Sequence, residues 1–216
     1  MGYRVCGFLR GVRLAVVVLC CGMAVSSCAV ALEEAGGAAG AVPAAVGQRP
    51  IVPAGYGTLR QDDATVSLRT GAVLVKVTPL DEATIRLLAP DTYTRLHALR
   101  ESRRAEIERS VLRLPEAFLV SFFSYEADVP FQPEDLQLMH QARVLRAAAI
   151  LPVSSGWGRQ RLAQQETQMA VYVFEGPVEY DQAITVRYGT SESDEWRQIV
   201  PRLEAERARV LARVRG

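Results

Sequence analysis

The sequence predicts a mainly β, α+β protein: an antiparallel β-sandwich with one long inserted helix and a C-terminal helix. Three observations carry this expectation. Short runs of β-branched and aromatic residues recur between turn signals. The strand–helix–strand rhythm of a parallel sheet is missing. Two longer segments change from a period of two to the three- and four-residue steps of an amphipathic helix.

The elements follow in order. Thr65–Arg69 and Ala72–Val77 flank Thr70-Gly71 and read as a hairpin that Pro79 ends. Glu82–Leu88 fits either state. Pro90-Asp91 opens a helix, with Asp91 as N-cap, and the helix near 91–114 carries Tyr93, Leu96, Leu99, Ile107, Val111 and Leu114 on one face. Its charges alternate in sign. Arg104 with Glu108 and Glu106 with Arg109 are spaced to pair, so the arginines read as a solvated helix face and not as a nucleic-acid patch. Phe118–Tyr125 is apolar on both faces, as a strand covered on both sides should be. Leu136–His140, Val144–Val153, Thr167–Phe174 and Ala183–Tyr188 are further strands. Ser154–Gly158 is a loop by composition. The tail near 194–215 is a helix with Trp196, Ile199, Leu203 and Val210 on its apolar face, and Pro201 predicts a kink or a second start.

Before these elements the chain has a different character. Arg4, Arg10 and Arg13 give a basic start without acidic residues. An apolar run of 12 residues follows, Leu14–Val25, too short for the ~20 that span a bilayer. That is the layout of a secretory signal peptide. The run ends in Val25-Ser26-Ser27-Cys28, which resembles the lipobox of bacterial lipoproteins. The resemblance implies a signal peptide over 1–27, acyl chains (palmitate among them) on Cys28, and a protein held in the cell envelope. Ala29, where an inner-membrane retention signal would place aspartate, leans toward the outer membrane, facing the periplasm. Two other readings stay open. Ala29-Val30-Ala31 is a small-x-small cleavage site that would release a soluble secreted chain from Leu32, and the leader could persist as an uncleaved anchor. Residues 28–57 are dominated by alanine, glycine and proline and read as a flexible tether, leaving 58–216 for a single domain.

The 216-residue chain has four cysteines, Cys6, Cys20, Cys21 and Cys28. Their confinement to the leader and its boundary excludes a zinc finger, a disulfide scaffold and a cysteine nucleophile from the body. The net charge of +1 becomes −2 once the three leader arginines are removed, which excludes a strongly basic nucleic-acid binder. Within the body, Phe131-x-Pro-x-Asp-Leu136, the Pro152…Trp157 loop and the Tyr172-x-Phe174 strand resemble the immunoglobulin-like, telokin-like sandwiches of secreted lipoproteins. The match covers about 118–188. It implies fold class only, since such folds host many functions.

Candidate chemistry is sparse. The histidines are His97, on the charged helix, and His140. Met139 and His140 are soft metal ligands, but neighbours in a strand point to opposite faces, so no metal site is assigned. The carboxylate pairs Glu33-Glu34, Asp62-Asp63, Glu134-Asp135 and Asp194-Glu195 lie in no catalytic motif, and the Walker, dinucleotide and nucleophile-elbow motifs are missing. Trp157, Arg159 and Arg161 form the loop with most binding character. Trp157 could stack on a ligand, or fold back and cap the core. The expectation is a non-catalytic, membrane-tethered binding or interaction module without a cofactor. Its partners would be the membrane, through the lipid, and an envelope protein. A small-ligand or metal-binding lipoprotein (Trp157, Arg159, Arg161 or His140) and an envelope hydrolase are the alternatives. If Cys28 carries lipid, Cys28→Ala should abolish metabolic labelling by a fatty-acid analogue; retained labelling would refute the assignment.

Overall fold

The computed structural model describes residues 51–111 and 113–215. The leader, Cys28 and most of the expected tether lie outside the described residues. Ten strands and four α-helices are present among them: β1 (Val66–Thr70), β2 (Val73–Pro79), α1 (Glu82–Ile85), α2 (Pro90–Ser102), α3 (Arg104–Ser110), β3 (Pro115–Ser124), β4 (Val129–Pro130), β5 (Leu136–His140), β6 (Arg143–Pro152), β7 (Arg161–Leu162), β8 (Thr167–Glu175), β9 (Ile184–Tyr188), β10 (Ser191–Ser193) and α4 (Trp196–Arg215).

Eight strands form one antiparallel sheet in the order β1-β2-β3-β8-β6-β5-β9-β10. The strands expected to divide between two sheets are therefore continuous. The joint is β6. Its first residues ladder with β5, from Arg143 opposite His140 to Arg146 opposite Gln137. Its later residues ladder with β8, and the register slips between Ala147 and Ala149. A bulge bends a strand and raises its twist, so the two halves fold toward each other about β6. The free edges β1 and β10 come together, and Glu195 Oε2 accepts the backbone N–H of Ser67 at 2.8 Å across the seam. The result is a nearly closed barrel.

Period-two alternation decides what fills it. In β3, Phe118, Val120 and Phe122 stand opposite Pro79, Val77 and Val75 on one side and Tyr172, Ala170 and Gln168 on the other. These residues point inward with Leu138, Val186 and Tyr188, and nearly all are buried. Leu119, Val171 and Val173 occupy the opposite face and are also buried. α3 lies against β3 and β6 on that side, as the two-faced apolar pattern of Phe118–Tyr125 requires.

The helices depart from expectation in three places. Ala89 is the N-cap of α2, Pro90 is its first residue, and Asp91 sits inside the first turn, where a carboxylate favours the helix dipole. The long helix is two helices, broken at Arg103 (φ −106°, ψ 2°), and it ends at Ser110. Arg104 pairs with Glu108 at 2.9 Å as expected, but Glu106 pairs with Arg103, not Arg109. α4 runs as one element through Pro201. A short strand, β10, precedes it, and the helix begins at Trp196, two residues after the expected start.

The packed body also begins earlier than residue 58. Val52 is fully buried and its carbonyl accepts from Arg86 at 3.2 Å. Leu59 bridges to Leu88. Between them, Gly57 lies so close to α1's end that a Cβ would fall 2.2 Å from the Leu87 carbonyl carbon. No side chain avoids that backbone, so Gly57→Ala should cost about 3 kcal/mol, measured by urea denaturation. A neutral result would show that this segment is not docked.

Candidate functional site

The strongest candidate site is built by the loops between β6 and β8. β6 exits at Pro152, and Met169 of β8 holds the start of the loop: its carbonyl accepts from the N–H of Val153 (2.9 Å) and Ser154 (3.1 Å), and its own N–H donates to Ser154 Oγ at 2.9 Å. The Trp157 N–H closes a turn onto Ser154 O at 3.2 Å. That turn aims the indole inward, where it is 7% exposed. It meets Phe131, Phe122 and Tyr172 edge-on at ring-centre distances of 5.3, 5.8 and 6.3 Å. Trp157 caps the core, and no indole face is left to stack on a ligand.

The loop's outer side is polar. A cleft of about 630 Å³ is lined by Ser154, Ser155, Gly156, Arg159, Glu166 and Gln168, among others. A second, of about 580 Å³, adjoins it and shares Arg159 and Glu166. Glu166 organises both. Its carboxylate accepts from the Ala163 N–H at 2.7 Å, from Arg159 at 2.8 Å and from the buried Gln168 amide. These bonds, the Ala163 N–H foremost, hold its carboxyl below the ordinary range despite some desolvation. Gly156 lies against this group: a Cβ there would sit 2.4 Å from Gln168 Nε2 and 2.6 Å from Arg159 Nη2. Arg161 borders the second cleft and is held by Asp128, Nε to Oδ1 at 2.5 Å. With both arginines matched by carboxylates, the clefts carry donors and acceptors of both kinds and little net charge.

No family model, curated protein or solved structure matches this chain. Function must therefore be argued from the site itself.

His140 takes no part in it. It lies at the far end of β5, 4% exposed. Its Nε2 accepts the Glu179 N–H at 3.2 Å and its Nδ1 faces Ala183 O at 3.4 Å, so both ring nitrogens are engaged by backbone and the imidazole pins the β8–β9 connection. Arg159 and Arg161 are brought together as the sequence suggests. Glu166, Gln168, Asp128 and Ser154 were missed. Gln168 alone carried a signal, a polar residue at an inward position of an apolar strand.

A second cluster lies on the helices. Glu82 accepts from Arg86 (2.6 Å) and Tyr93 (3.0 Å), and its other oxygen meets His97 Nδ1 at 3.2 Å. Burial opposes its charge, but these bonds outweigh burial and keep the carboxyl below its ordinary value. The His97 ring stacks on Tyr93 at 5.3 Å. Arg86, His97 and Arg100 line a cleft of about 340 Å³ there with Glu101, Arg104 and Glu108. Its lining offers no serine or threonine hydroxyl for His97 to activate.

Near the same end of β3, the Glu116 carboxylate accepts the Tyr180 hydroxyl at 2.8 Å. Burial pushes the Glu116 carboxyl up to about 7; the Tyr180 bond opposes this and the charge of Asp81 adds to it. The unfolded chain releases this proton near 4.5, so between about 4.5 and 7 the folded state holds a proton that the unfolded state lacks. Stability from this group falls as pH rises through that window, by about 1–3 kcal/mol. Urea denaturation should show Glu116→Gln losing that portion of the decline between pH 5 and 8. An unchanged pH dependence would mean that the carboxyl is not held in the protonated form.

Proposed function

We propose that the protein is a lipid-anchored, non-catalytic binding module of the cell envelope, which engages a protein partner through the paired clefts around Arg159 and Glu166. The observation that carries this reading is the build of the clefts. Their floor is fixed by a tryptophan locked in the core, while their rim offers exposed guanidiniums, hydroxyls and a carboxylate. Neither lining includes a histidine or a cysteine. Preorganised polar groups on a rigid support suit recognition. The lipobox-like Val25–Cys28 supports an envelope location, with the outer membrane facing the periplasm favoured by Ala29.

The placement of the chain's entry into the body is a further support. Tyr56 and Thr58 bond to the C-terminal half of α4, where Arg207 donates to the Ala83 carbonyl of α1 at 3.5 Å; the Leu80 N–H, just before α1, donates to Ala117 O at the start of β3, beside Glu116. Trp157 meets Phe122 near the end of β3. Six strand residues, about 20 Å, separate these levels. An anchor at one pole would hold the clefts away from the membrane.

A small polar ligand is the second reading. Gln168 Oε1, buried beside the first cleft, has no hydrogen-bond partner, and a hydroxyl or ammonium group would satisfy it. Site-specific photocrosslinkers at Ser155 and Gln164 in intact cells discriminate the readings. A discrete protein adduct from these positions, lost with Arg159→Asp and not formed from Ser102 on α2, is expected for a protein partner. Recovery of monomer alone from every position would reject it.

A further inference from the structure

The end of the molecule opposite the clefts has a charge pattern that the mature total of −2 conceals. α4 contains six arginines (Arg197, Arg202, Arg207, Arg209, Arg213 and Arg215) and two glutamates (Glu204 and Glu206). At its N-terminal half, acidic partners offset the arginines: Asp194 lies 4.0 Å from Arg197 and Asp63 3.6 Å from Arg202. Toward the C-terminus the balance changes. Arg207 is buried and paired to Glu204, but Arg209, Arg213 and Arg215 are exposed.

Arg209 and Arg213 converge on Glu206, whose side chain is 1% exposed, each at 3.0 Å. The same carboxylate accepts the Thr58 N–H at 3.1 Å and the Thr58 hydroxyl at 2.8 Å. Glu206 is therefore a saturated acceptor that holds two guanidiniums side by side. Each guanidinium has five N–H groups, and most remain to be used. A cleft of about 340 Å³ opens between Thr58, Arg209, Ala212 and Arg213 above the Glu206 floor. Helix-dipole complementarity explains Arg213 and Arg215 in the last turn, but not Arg209, more than one turn earlier, nor its convergence with Arg213 on one cleft.

The surroundings indicate what fills it. Arg213 also donates to the Tyr56 carbonyl at 3.0 Å, so the basic pole is the place where the chain enters the body from its N-terminal side. Exposed apolar groups flank it: Tyr56 (52%) and Val214 (45%). Arginine, tyrosine and aliphatic side chains together suit the polar–apolar boundary of a bilayer. Paired guanidiniums suit a phosphate.

We infer that the Arg209–Arg213–Arg215 pole of α4 docks on the anionic headgroups of a phospholipid surface, with a lipid phosphate between Arg209 and Arg213 and with Tyr56 and Val214 at the interface. The inference rests on the proposed lipid anchoring only for which surface the pole meets. Contact there would fix the orientation of the body as well as its attachment, because a single flexible point of attachment leaves rotation free.

The test uses residues 46–216, a compact unit by themselves, which lack Cys28 and so report on headgroup binding independently of acylation. The fragment should cosediment with vesicles of phosphatidylcholine containing roughly one-third phosphatidylglycerol and not with phosphatidylcholine alone, and should be released as salt rises from about 0.1 to 0.5 M. Ala208→Asp with Ala212→Asp adds two charges to the exposed face and leaves every Glu206 bond in place. It should weaken binding at least tenfold, at about fivefold per charge, while Ala105→Asp on α3 leaves binding unchanged. Absence of binding at low salt, equal binding to both vesicles, or indifference to the Ala208/Ala212 pair would each overturn the inference. Loss of fatty-acid labelling in Cys28→Ala is a separate result and bears on the anchor alone.

Discussion

Phe122 projects from β3 into the curled sheet, and three rings close on it: Phe131 at 4.8 Å, Tyr188 at 5.4 Å and Trp157 at 5.8 Å. They come from three separate stretches of chain, the β3–β5 connection, β9 and the β6–β8 loop. Bringing them together fixes the loop end of the barrel. Aromatic pairs of this geometry contribute roughly 0.5–1.5 kcal/mol each beyond the area they bury. The polar bonds around them follow from that packing. The Tyr188 hydroxyl accepts the Gln132 N–H at 2.8 Å, and the Tyr172 hydroxyl donates to the Pro133 carbonyl at 2.9 Å. With the interior filled by rings, the polar groups of Ser154, Arg159 and Glu166 stand on the outer side of the same loops.

The other pole is organised on a different principle. Phe118 contacts Tyr180, which contacts Trp196, but here the rings are interleaved with carboxyl groups: Glu116 on Tyr180, and the buried Glu206 under Arg209 and Arg213. A buried carboxylate is costly unless saturated. Glu206 meets that condition with backbone, hydroxyl and guanidinium donors. Glu116 has fewer donors, and burial raises its carboxyl to about 7. The two carboxyl groups of this pole thus differ in their surroundings: Glu206 meets two guanidiniums and Glu116 the Tyr180 hydroxyl.

Much of the fold was legible as alternation. The β1–β2 turn at Gly71 (φ +53°), β3, β5, β8 and β9 lie where period two places them. Closure of the sheet was not legible. It depends on a register slip within Ala147–Ala149, a run with no glycine or charge to mark it, and on β10, whose Ser191-Glu192-Ser193 has no apolar face to detect. A sequence with two sets of buried strands reads equally as two sheets or as one sheet bent through β6. At the site, Trp157 and the two arginines could be found from composition. Glu166 and Asp128 could not, because a carboxylate that orders a loop looks, in sequence, like any surface carboxylate.

The charge count shows the same dependence on placement. A total of +1 for the chain says little about a surface when charges separated by more than about 8 Å are screened from each other at physiological salt. What a partner meets is the local arrangement. Around Arg159 and Arg161, Glu166 and Asp128 neutralise the field and leave directional hydrogen bonding, which favours selectivity over long-range attraction. At the end of α4 the neutralising carboxylate is single and buried, so the guanidiniums above it keep their outward field. One domain of near-zero charge therefore presents two chemically different ends, and the chain enters at the basic one.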